Sequence, residues 1–87
     1  LVEQRLAARD AVLAVEAGGL DDARLAALLA DPSAWVRDGV VAALARGRDP
    51  AQLDALARLL PPAVRRGEVH VAVAAAELLG ACGHAPG

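Results

Sequence analysis

The chain predicts an all-α fold of about five helices, and three observations carry that expectation. Apolar residues return at helical spacing from one end to the other. Aspartates, twice followed by proline, mark helix starts, and glycines mark helix ends. Two long segments superimpose when the sequence is shifted by 28 residues, as a repeat of helical units would.

The first helix is expected over residues 2–17. Val2, Leu6 and Leu13 form one apolar line, and Ala8, Val12 and Val15 form a second, so the spacing predicts burial on two sides. Gly18-Gly19 stops it, since glycine accepts the left-handed conformation of a helix C-terminus. Asp21 is placed to cap a helix over 22–30, with Leu20 and Leu25 as a hydrophobic staple. Asp31-Pro32 opens the third helix, 32–46, with Asp as cap and Pro at the first helical position. Val36, Val40, Ala43 and Leu44 share one face of it, and Gly47 closes it. Asp49-Pro50 repeats the start signal, and Gln52 completes a capping box with Asp49. Leu53, Leu56, Leu59 and Leu60 stripe the fourth helix, 50–60, which Pro61-Pro62 is expected to break before a basic connector, 63–67. The last helix, 68–81, is apolar almost all round.

Composition bounds what such a domain can do. The 87 residues are 56% hydrophobic, drawn mostly from Ala, Leu and Val, with no Phe, Tyr or Met and a single Trp. A core of small side chains reaches native density only when helices approach closely, near the low end of about 8–10 Å. No run approaches the roughly 18 apolar residues of a membrane span. Cys82 has no second cysteine to join, so no intrachain disulfide forms, and the default setting is reducing and cytoplasmic. The net charge of −2 argues against a dedicated nucleic-acid binder. All nine basic residues are Arg, a bias of the kind a GC-rich genome imposes. A chain that starts at Leu1 and holds no Met is expected to be processed or a piece of a longer one.

The 28-residue shift places Arg9 on Arg37, Asp10 on Asp38, Val12 on Val40, Gly19 on Gly47, Asp21 on Asp49, Leu25 on Leu53 and Leu28 on Leu56. Four alanine coincidences carry little weight in so alanine-rich a chain; the two Asp caps and the glycine carry more. Asp31-Pro32, Val36-Arg37, Val40, Ala43-Leu44, Gly47 and Asp49-Pro50 resemble the pattern of short HEAT-like repeats of the bilin-lyase type. Val71, Ala75, Leu78-Leu79-Gly80 and Gly83 resemble the same helix again, with Ala72 in place of the Arg and Pro62–Glu68 as an insertion. The resemblance implies antiparallel helix pairs stacked as a HEAT-like α–α superhelix or closed into a compact bundle, and a scaffold or binding platform in place of an enzyme. More weakly, VRD at Val36–Asp38, RLLPPAVRR at Arg58–Arg66 and the Ala-rich last helix are similar to the C-terminal helices of an actinobacterial family of unassigned function.

The candidate residues follow. Arg9-Asp10 and Arg37-Asp38 recur at one position in successive units, and the HEAT-like resemblance implies an ion-pair ladder there. Trp35, with Gly39 and Ala42 leaving room for its ring, is expected at the edge of the core or as an interface anchor. Arg46, Arg48, Arg58, Arg65 and Arg66 are the basis of an alternative, nucleic-acid-binding reading, though Arg46 and Arg48 also suit a helix C-terminus and no aromatics are interleaved. His70, Glu77 and His84 fall seven residues apart, too far along a helix to share one metal ion. No catalytic triad, carboxylate pair or phosphate loop can be assembled, and neither cofactor nor metal is expected. Val69–Ala76 offers only His70 as a polar side chain, so the last helix must be covered. Either it is the central helix of a compact bundle, or Val69, Val73 and Leu79 are the expected contact with a protein partner or a second copy.

Overall fold

The computed structural model describes Val2–Gly83, with the side chains of Val2 and Gln4 excepted. Five helices and no strand occur among these residues: α1 (Val2–Ala17), α2 (Asp22–Leu29), α3 (Ala34–Gly47), α4 (Pro50–Arg66) and α5 (Val69–Ala81). The Cα radius of gyration is 12.0 Å, the value of about 12 Å expected for a closed globule of this length. The helices thus form a compact bundle.

The capping aspartates act locally. Asp21 Oδ1 accepts from the Arg24 amide at 2.7 Å, and Asp49 Oδ1 accepts from the Ala51 amide at 2.9 Å. Each satisfies one amide that the first helical turn leaves unpaired. Gly18 and Gly19 both take positive φ, 78° and 73°, and turn the chain out of α1. The start of α3 differs in detail from the expectation. Asp31 Oδ1 accepts from the Ser33 amide at 2.8 Å, closing a turn around Pro32, and the helix begins at Ala34 with Ser33 as its cap residue. At the far end Gly47 stays helical, and Arg48 takes the left-handed conformation at φ 49°.

The larger correction is α4. Pro61-Pro62 does not break it; the helix runs to Arg66 and absorbs the supposed connector. Two interior prolines each remove a backbone hydrogen bond and crowd the preceding turn, at a cost of about 3 kcal/mol or more apiece. What holds the turn is burial beyond it. Leu59 and Leu60 pack against the core, and Ala63, one turn further, is 3% exposed. The true stop is Gly67 at φ 70°, after which the Glu68 amide reaches the Ala63 carbonyl at 2.9 Å.

One core joins all five helices, centred on Leu25, Leu29, Val40, Leu44, Leu56, Val71 and Ala75. The closest packing joins α1 to α3 and α4 to α5, with α2 laid across α3, α4 and α5. Three contacts show that α1 and α3 run parallel. Arg5 meets Trp35 near their first turns, Val12 faces Gly39 at mid-length, and Glu16 meets Arg46 near their ends. Small residues on the seam permit the approach. The expectation that α1 is buried on two sides is not met: Ala11 and Val15 are buried and Ala8 and Val12 half-buried, but Leu6 and Leu13 face solvent.

Gln52 does not complete a capping box. It lies on the same stripe as Leu56 and Ala63, is 8% exposed, and donates from Nε2 to the Val15 carbonyl at 2.9 Å. It thereby ties α4 to the last turn of α1.

Candidate interaction surface

The face that stands out is built by α5 and α3. Along α5, Val71, Ala74, Ala75, Leu78 and Leu79 form one buried stripe that enters the core. Ala72 is partly buried beside that stripe, and the other positions are exposed; Val69 and Val73, one turn apart, are 64% and 48% exposed. Beside them an open groove of about 470 Å³ runs between α5 and α3. Leu29, Val41, Ala42, Ala45, Val69, Val73 and Ala74 give it an apolar lining, while Arg37, Asp38, His70 and Glu77 supply its polar groups. Apolar walls with a few polar groups of both signs are what a protein contact needs, and exposed valines paired on one helix face are what it would cover.

Of the four residues expected at an interface, the structure brings Val69 and Val73 together at this groove, leaves Trp35 exposed elsewhere on the surface and buries Leu79. Leu79 is 5% exposed and belongs to the core, because α5 turns its 71–75–78–79 stripe inward. Trp35 is 48% exposed on the other flank of α3, beside Ala8, Val12 and Gly39 of the α1–α3 seam. There the Arg5 guanidinium carbon lies 5.3 Å from the ring centroid, a cation–π contact.

The ladder of Arg9, Asp10, Arg37 and Asp38 does not form. Among the described residues no ion pair joins these four; Arg9, Asp10 and Asp38 are exposed. Arg37 instead donates from Nη1 to the Asp31 carbonyl, bracing the α2–α3 corner. Arg9 and Asp38 both border the hollow at the α1–α3 seam, yet among the described residues no ion pair joins them. The shortest ion pair crossing between helices among the described residues is Arg58 with Asp22. Nε to Oδ2 and Nη2 to Oδ1 are both 2.9 Å, a bidentate fork joining α4 to α2. Hydrogen bonding to the Arg58 guanidinium, reinforced by its charge, holds the Asp22 carboxyl below the usual carboxylate range, and Arg58 is raised in turn. The two residues are far apart in sequence, so no local pattern announces them. Gln52 could have been found from its place on the α4 stripe.

The basic residues of the second half are largely engaged with acids. Arg46 lies 3.9 Å from Glu16, Arg66 lies 3.8 Å from Glu68, and Arg58 holds Asp22. His70 and Glu77 share the groove, His84 lies outside the described residues, and no group of three potential metal ligands occurs among the described ones. No described helix is long and apolar enough to cross a membrane. No protein-family model, no curated protein and no solved structure matches the chain.

Proposed function

We propose that this chain is a protein–protein interaction module that binds its partner along the α3–α5 face. The observation that carries the reading is the pair Val69 and Val73, left largely exposed beside an apolar groove while the opposite stripe of the same helix is fully buried. The parallel α1 and α3, in contact near their starts, middles and ends, support a repeat-like scaffold of the kind whose units stack through apolar faces. Nothing about the arginines favours nucleic acid, since three of the five carry a carboxylate neighbour and the net charge is −2.

The test is site-specific photo-crosslinking in cells. A photoreactive amino acid at Val73 is expected to give a defined protein adduct. The same group at Val64, equally apolar and 62% exposed but outside the groove, is expected to give none. Equal labelling at the two positions, or no adduct at Val73, refutes the reading.

A further inference from the structure

We infer that the occupant of the α3–α5 groove is a second copy of this chain, docked about a two-fold axis with the two α5 helices antiparallel. The inference rests on the interaction reading above and names its partner.

The argument begins with charge register. His70 and Glu77 both border the groove and lie on the same helix. When two copies of one helix pack antiparallel about a two-fold axis, residues equidistant from the axis face one another. An axis passing at Val73–Ala74 sets His70 of each copy opposite Glu77 of the other, so one register faces an imidazole N–H donor with a carboxylate acceptor twice. Arg37 and Asp38 on α3 place both signs beside the same groove, as an isologous contact requires of a patch that must complement itself. A patch of a single sign would repel its copy.

Shape agrees with charge. Val69 and Val73 protrude next to the groove, and on the same outward face Ala76 and Gly80 are exposed, with open space around Gly80. A knob beside a hole lets each copy seat its valines against the other. The available area sets the strength. A stable interface takes about 800 Å² from each partner, a large share of a molecule whose accessible surface is 5252 Å². Two valines and a few small residues cover less than that, so the association is expected to be weak and to depend on concentration.

Sedimentation equilibrium of the purified chain over a wide concentration range tests this. A monomer–dimer equilibrium is expected. Val73→Glu shifts it to monomer with far-UV circular dichroism unchanged, since Val73 is half-exposed and its loss opens no core. Glu77→Lys weakens the dimer about tenfold or more, and His70→Glu combined with Glu77→Lys recovers it, because the exchanged charges face each other again across the axis. A wild-type chain that stays monomeric at every concentration overturns the inference. So does a dimer indifferent to Val73→Glu, or one that the double exchange fails to rescue. A monomer whose Val73 position still crosslinks to another protein in cells would refute the second copy alone and leave the interaction reading standing.

Discussion

Gly39→Ala is the change whose outcome the structure decides most sharply. Gly39 lies in the middle of α3, where it faces α1. A Cβ built there would stand 3.1 Å from Val12 Cγ2, with the Ala8 carbonyl oxygen at 3.8 Å. Alanine in a helix interior gains about 0.5–1 kcal/mol over glycine. Against that, a methyl forced into an occupied seam costs about 1–3 kcal/mol. Val12 has little freedom to turn aside, because a β-branched side chain in a helix is confined to one rotamer. The clash wins, and the net destabilisation is about 0.5–2 kcal/mol, or a fall in Tm of several degrees for a chain of this size. The decisive comparison is in the Val12→Ala background. There the obstructing methyls are gone, and Gly39→Ala becomes stabilising by about 0.5–1 kcal/mol relative to Val12→Ala alone. Urea unfolding of the four proteins, followed by far-UV circular dichroism and by Trp35 fluorescence beside the seam, reads the cycle. Gly47→Ala serves as the control, since nothing lies within 4 Å of its added Cβ in the same helix; it should be neutral or stabilising. Identical effects of Gly39→Ala in both backgrounds would refute the close α1–α3 approach.

Three further outcomes are expected. Gln52→Ala should cost only about 0.5–1.5 kcal/mol, because the Val15 carbonyl it leaves still accepts from the Gly18 amide at 3.2 Å; a loss of several kcal/mol in a denaturant melt would mean the bond is not the whole of its role. Arg48→Gly should stabilise by about 0.5–1 kcal/mol, since Arg48 is the one non-glycine residue at positive φ among those described, and glycine occupies that region without strain. The Asp22–Arg58 fork predicts a pH signature. The Asp22 carboxyl is held low in the fold, so its contribution is complete above the unfolded carboxylate pKa of about 3.9 and fades as pH falls through the lower folded value. Wild type should therefore exceed Asp22→Asn in Tm at neutral pH and converge with it in acid; a gap independent of pH would show that the charge plays no part.

Much of the architecture is legible because local chemistry decides it. Asp21, Asp49 and the Gly18-Gly19 pair act within a turn of themselves, so their residue types alone announce helix ends. The misread places are those where a distant contact outweighs a local rule. Pro61-Pro62 is a helix breaker by every local preference, yet the packing of Leu60 and the burial of Ala63 carry α4 through it. Asp49 and Gln52 have capping-box spacing, but the carbonyl at the end of α1 claims the Gln52 amide. The repeated Arg-Asp pairs suggested a ladder because repetition fixes position along each helix. It does not fix the direction in which those positions point once α1 and α3 are stacked. The last helix was legible as a helix in need of cover, while which of its valines and leucines would remain exposed depended on the side α4 approached from.

The two flanks of α3 bring these points together. On one flank α1 lies close, admitted by Ala8 and by Gly39, where any side chain would press on Val12. On the other flank α5 packs principally on α4, so that α3 and α5 enclose a groove lined by Val41, Ala42 and Ala45 on one side and Val69 and Val73 on the other. Asp38 borders both hollows. A chain built from Ala, Leu and Val lacks the large side chains that could fill such a gap from within. The second copy inferred above would close it with the outward valines of its own α5. The composition that permits a tight seam on one side of α3 is therefore the same property that leaves an open apolar groove on the other.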